Sequence, residues 1–243
     1  MKNNITPNTQ SALTLKLSSL IFNLSPFRIS LRCSIFDIRY SIFAFVLLLT
    51  SCINKKPEAP LPIFGEREVQ GSDTIYHTIG NFKFVDQDSA FVTNETFAGK
   101  IYVADFFFTS CRTICPIMKT QMLRVYDSIQ NNPGILLLSH SIDPEYDTVG
   151  LLHDFAARLG VKSDKWHFVT GNKDEIYKIA QTGYFATAME DKSEPDGFIH
   201  SGAFLLIDKD RRIRGKYDGT KEEDVNRLLT DIRRLEKEYT PTK

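Results

Sequence analysis

The chain has 243 residues, with 30 basic and 30 acidic side chains, so its formal net charge is zero. That balance removes the electrostatic case for a nucleic-acid partner, which needs a basic surface to meet phosphate. Hydrophobic residues make up 42% of the chain, enough for one ordinary packed domain once terminal segments are set aside. Four cysteines are too few for a disulfide-stapled scaffold.

Residues 1–52 read as a targeting segment. Arg28, Arg32 and Arg39 precede SIFAFVLLLTSC, a short apolar run that ends in small residues, which is the layout of a secretory signal. The run from Tyr40 to Ile53 is shorter than the roughly 20 apolar residues that a spanning helix needs. Asp37 and Arg39 block its extension upstream. Leu49-Thr50-Ser51-Cys52 resembles a bacterial lipobox, which makes Cys52 the expected lipidation site; the alternative is an ordinary cysteine in an uncleaved anchor. Residues 53–75 carry three prolines, mixed charge and little apolar periodicity, the composition of a flexible linker. Either membrane reading exports the remainder of the chain, and the expected location is the bacterial cell envelope, facing the periplasm or extracytoplasmic space. Thiols can oxidise there.

Residues 76–240 read as the folded domain. Two short alternating runs, 82–85 and 90–93, flank a polar turn and predict an N-terminal β-hairpin. IYVADFFF (101–108) is a near-continuous apolar run, as expected of a strand buried on both faces. Pro116 suits the first turn of a helix, Met118, Met122, Val125, Tyr126 and Ile129 follow at helical spacing, and Asn131-Asn132-Pro133-Gly134 stops the run. ILLLSHSI (135–142) predicts a second buried strand, 148–160 a helix ending at Gly160, WHFVT (166–170) a third strand and 173–182 a further helix. GAFLLID and RIRGKYD predict a strand pair joined at KDR, and 221–239 a charged amphipathic helix with Val225, Leu228, Leu229, Ile232 and Leu235 inward. The order β-α-β-α-β-α-β-β-α argues for an α/β domain with a mixed central sheet flanked by helices. With a cysteine pair between the first buried strand and its helix, the order looks like a thioredoxin fold.

That pair, in FFFTSCRTICPIMK (106–119), carries the chemistry. Cys111 falls in the loop after the strand and Cys115 at the expected cap position before Pro116. A helix N-terminus stabilises thiolate over thiol, Arg112 adds a cation, and both cysteines are expected to be unusually acidic. Three readings are open: a structural disulfide, a redox pair and a metal site. The oxidoreductase signature of this fold is Cys-x-x-Cys; the extra residue here lets both sulfurs converge on an ion without being forced to bond. Two thiolates alone close a site poorly, whereas soft Cu(I) accepts two thiolates and one imidazole. Of five histidines, His77 lies near the domain's start, His140 inside a buried strand, His153 on a helix and His167 in a short strand. His200 stands at the entrance to a late strand, and its residue type and position fit a solvated loop residue as well as a ligand.

Together these features resemble the Sco/SenC family of copper proteins associated with cytochrome c oxidase assembly. The resemblance covers residues 82 to 235 and rests on ADFFFTSCRTICPIM, SIDPEYDT, FVTG and FIHSGAFLLIDKD. It implies copper held as Cu(I), with Cu(II) as the other oxidation state, by Cys111, Cys115 and His200. It also implies a redox-active Cys111–Cys115 pair and Asp143 as a residue supporting the loop; Arg112 is expected to support the loop from its place beside Cys111. Two positions depart from the family's pattern. Arg112 stands where many members have proline, and Ile199 where many have aspartate, so any carboxylate orienting the His200 ring must come from elsewhere.

The function implied is an extracytoplasmic, membrane-tethered copper metallochaperone, held by a lipid anchor, that serves the copper-bearing subunit of cytochrome c oxidase. The alternative is a thiol–disulfide oxidoreductase that keeps that subunit's cysteines reduced; whether the chain is an enzyme turns on this choice. A thiol peroxidase is disfavoured, because position 105 is Asp105 where peroxidase loops carry a proline.

Overall fold

The computed structural model describes residues 59–191, 193 and 197–240; Cys52 and the rest of the targeting segment lie outside them. The first described residues run along the domain's surface, held by one buried cation. Arg214, 5% exposed, donates to the carbonyls of Leu61 and Pro62 and to the carboxylates of Asp208 and Glu238. Leu61 is buried, and Phe64 N–H bonds to Ile213 O at 2.8 Å. Strands β1 (Arg67–Gln70) and β2 (Asp73–Tyr76) then form an exposed two-stranded ribbon. Much of the stretch expected to be a flexible linker is therefore docked or paired. Composition hides this, because Arg214 lies 152 and 153 residues beyond the carbonyls it holds.

The predicted hairpin forms as β3 (Lys83–Asp86) and β4 (Phe91–Thr93), its turn closed by the Asp86 carboxylate, which accepts from the N–H groups of Asp88 and Ala90. Next come β5 (Ile101–Phe107), α1 (Cys115–Ile129), β6 (Ile135–Ser141), α2 (Val149–Leu159) and β7 (Trp166–Thr170). Helix α2 starts on Thr148, whose hydroxyl accepts from Leu151 N–H, and ends on Gly160 at φ 71°, a left-handed cap that glycine adopts without strain. Helix α3 (Lys173–Lys178) passes into a π-helical turn at Ile179–Gly183, and β8 (Ala188–Glu190) and β9 (Phe198–His200) make a small hairpin missed by the sequence pattern. β10 (Ala203–Ile207), β11 (Ile213–Asp218) and α4 (Glu222–Glu238) complete the domain.

The main sheet has seven strands in the order β11-β10-β5-β6-β7-β3-β4. β5, β6 and β7 are parallel, and the outer strands are antiparallel. All seven residues of β5 and all seven of β6 are buried, so both faces must be covered. On one face Phe107, Trp166 and Phe168 meet Phe155 of α2 and Tyr126 of α1. On the other, Phe106 and His140 meet Tyr184, and Tyr102 meets Phe97. This is the thioredoxin-like architecture expected, with the cysteine loop at the C-terminal end of β5.

Candidate metal centre

The apolar run of β5 delivers the chain to the loop that carries both cysteines. The loop is fixed before it reaches them: Thr109 donates through its N–H, at 3.1 Å, and through its hydroxyl to the carboxylate of Asp147, which also accepts from Ser141 Oγ at 2.6 Å. Cys111 N–H then reaches back to Phe108 O at 3.3 Å. Helix α1 begins on Cys115 with Ile114 as its N-cap, one residue earlier than the sequence suggested, and Pro116 sits in the first turn. Both thiols are free and buried.

His200 arrives from the other side. It ends β9, whose hairpin with β8 is separate from the main sheet. Its ring stands edge-on to Phe108, with centroids 5.6 Å apart at 82°. Its Nε2 lies 3.4 Å from Cys115 Sγ and 4.0 Å from Cys111 Sγ. The three donor atoms all lie within 4.8 Å of one another, the one such group of His, Cys and carboxylate donors among the described residues.

These separations suit a metal. An ion about 2.0–2.3 Å from imidazole nitrogen and thiolate sulfur, at the centre of a triangle, needs donors roughly 3.5–4 Å apart. Two thiolates and one imidazole are a donor set for soft Cu(I). A small open pocket of about 200 Å³, lined by Phe108, Thr113, Ile114, Phe198, Ile199 and His200, borders the group.

The acidity of the pair differs from the sequence expectation. Cys111 is pulled well below the usual thiol range, first by the hydrogen bond from Cys115 and then, against burial, by His200 and the Thr113 hydroxyl. Cys115 moves the other way, because it supplies that hydrogen bond and is buried. The two thiols therefore differ in acidity, where the sequence argument expected both to be acidic. A buried carboxylate on β5, Asp105, is pushed up to about 6 by burial, against the pull of Ser139 and His200.

The other expected positions divide. Arg112 is exposed on the cysteine loop. Asp143 shapes the next loop through its backbone carbonyl, which accepts from Tyr146 and Asp147 N–H. The carboxylate that reaches the cysteine loop is that of Asp147, fully buried, which the sequence reading missed. Among the described residues no carboxylate orients His200: its Nδ1 is buried with no hydrogen-bond partner there. The remaining histidines are engaged elsewhere. His77 meets Gly183 O, His153 meets Asp88 and His167 meets Asp86, while His140 is enclosed by aromatic rings.

The SCO1/SenC family model matches residues 71–237. A SCO1/SenC family lipoprotein from Bacillus anthracis is 28% identical, with a TM-score of 0.60 over 66% of this chain and 95% of its own. BsSco, described as a member of the Sco family of cytochrome c oxidase assembly proteins and as having a disulfide switch, is 30% identical, with a TM-score of 0.58 over 65% of this chain and 93% of its own. ScoI of Arabidopsis thaliana, solved with copper bound, is 26% identical, with a TM-score of 0.55 over 66% of this chain and 98% of its own.

Proposed function

The chain belongs to the SCO1/SenC family, and from that premise we propose that it is a membrane-tethered copper chaperone of the cell envelope that delivers copper to the copper-bearing subunit of cytochrome c oxidase during assembly. The observation that carries the reading is the convergence of Cys111 Sγ, Cys115 Sγ and His200 Nε2 at metal-bridging distances. The copper-bound relative and the oxidase-assembly description of BsSco support it.

Copper is cargo here, and the residues hold it transiently. Both sulfurs would hold the ion as thiolates, so loading releases whatever protons the two thiols still carry. His200 supplies the third donor from a hairpin separate from the strand that delivers the cysteines. Anchoring falls to Cys52, a reading supported by the lipoprotein description of the Bacillus anthracis relative. No helix among the described residues is long and apolar enough to cross a membrane.

The test is copper stoichiometry in both thiol states. The reduced protein should bind one Cu(I) and the Cys111–Cys115 disulfide essentially none; equal uptake by the two forms overturns the reading. The hydrogen-bonded contact between the two cysteines and the disulfide switch of BsSco favour a second reading, a reductase for the oxidase's copper-site cysteines. His200→Ala separates the two, since it removes a metal donor and leaves both thiols. Full restoration of oxidase assembly by a variant that no longer binds copper would establish the reductase instead.

A further inference from the structure

Three consecutive residues of the 143–148 loop face three ways. Glu145 reaches the ammonium of Lys173 at 3.7 Å, and the same ammonium grips Glu190 on β8, the strand paired with the one that carries His200. Asp147 turns inward and holds Thr109, two residues before Cys111. Tyr146, between them, is 57% exposed. One short loop therefore bonds to the cysteine loop through one residue and is linked through another, by way of Lys173, to the strand paired with the one that carries His200. The hairpin needs such a hold: it lies outside the main sheet, and the His200 ring has no hydrogen bond at Nδ1.

We propose that the 143–148 loop is a latch on the metal centre, with Asp147 and the Glu145–Lys173–Glu190 clasp as positioning residues and Tyr146 as the handle on which the copper-accepting protein presses. The inference rests on the metal-centre reading above. Tyrosine is enriched among the residues that dominate protein interfaces, and displacing it pulls on both neighbours together. A partner seated on Tyr146 draws Glu145 from Lys173, loosens the hairpin and lifts the imidazole from the ion. The bond from His200 Nε2 to copper breaks, a donor of the acceptor protein takes its place, and the copper remains Cu(I). The imidazole leaves neutral, so no electron or proton is left over.

The experiment uses the full-length reduced protein loaded with Cu(I). It follows loss of copper to a bathocuproine-type chelator, together with the dithiol–disulfide midpoint. Lys173→Met and Glu190→Gln should each speed release about two- to fivefold, the size of an exposed ion pair. The double variant should release no faster than either alone, because both break one clasp, and none of the three should move the midpoint. Asp147→Asn should change both release and midpoint; should it fail to fold, Thr109→Val, which loses only the hydroxyl contact, should change both in the same direction. Tyr146→Ala should leave chelator-driven release unchanged and lower oxidase activity in cells. If the wild type binds one Cu(I) but the Lys173 and Thr109 variants release it at the wild-type rate, the latch is wrong and the metal centre stands. Full oxidase activity with Tyr146→Ala removes the handle. A wild type that binds no copper overturns the metal-centre reading and the latch together.

Discussion

Asparagine at position 105 removes a buried charge while keeping its shape. Asp105 is 5% exposed on β5, and its carboxylate accepts from Ser139 Oγ, which in turn accepts from Trp166 Nε1 at 2.8 Å. Burial lifts its pKa to about 6, whereas an aspartate in an unfolded chain titrates near ~3.9. The folded form therefore binds more protons than the unfolded one between those values. The stability linked to this group is fully present below the unfolded pKa and is lost as pH rises through about 6. A two-unit gap corresponds to roughly 2–3 kcal/mol once the pH is above both values. The amide oxygen of Asn can still accept from Ser139, so the variant keeps the hydrogen bond and loses only the titration.

Urea unfolding at two pH values reads the difference. Asp105→Asn should exceed wild type by roughly 2 kcal/mol at pH 7.5 and match it near pH 4. Trp166 is the chain's one tryptophan, so its emission follows unfolding and, in the native state, the Asp105 titration through Ser139. Wild-type emission should shift near pH 6, and the variant's should stay flat. The variant should also load copper at lower pH, because the Asp105 charge helps to keep Cys115 protonated. A stability difference independent of pH, or a loss at both pH values, refutes the reasoning.

Arg214→Met should cost about 3–5 kcal/mol, because it strands the buried Asp208 carboxylate; thermal melts and faster hydrogen exchange at Leu61 measure it, with copper binding unchanged. His140→Phe should gain over wild type as the solution is acidified. Burial drops the His140 pKa to about 3, so the wild type loses stability as pH falls from about 6.5 towards that value, and denaturation at pH 7 and pH 5 should show the gap widening. Cys52→Ala should abolish fatty-acid labelling and release the protein from membranes; labelling that persists places the anchor elsewhere.

What was legible in the sequence is what local pattern determines. β5, β6 and β7 are apolar runs because both their faces are covered, and α1 and α2 are bounded by Pro116, Thr148 and Gly160, whose backbone chemistry acts within a few residues. Cys111 and Cys115 stood out by spacing, and His200 by resemblance to a family. What was missed depends on partners far along the chain. Asp147 precedes the N-cap Thr148 and reads as part of a helix start; its role appears only when Thr109, 38 residues earlier, is brought beside it. The β8–β9 hairpin has three residues per strand, too few for an alternating pattern to register. The unequal acidity of the cysteines follows from their contact with each other, whereas the sequence argument weighed only the helix end and Arg112.

The strand directions also fix where the Cys111–Cys115–His200 group sits relative to the first described residues. The cysteine loop follows Phe107 at the end of β5. β10 runs antiparallel to β5, so that Ile207 pairs with Tyr102 near the beginning of β5, and Ile213 of β11 pairs with Ile207. Phe64 bridges to Ile213, and Leu61 is held by Glu238 at the end of α4. The docked segment 59–64 therefore lies at the pole opposite Cys111, Cys115 and His200. The chain thus enters the folded domain at the end away from the cysteine–histidine group, which leaves that edge of the sheet clear of the entering segment.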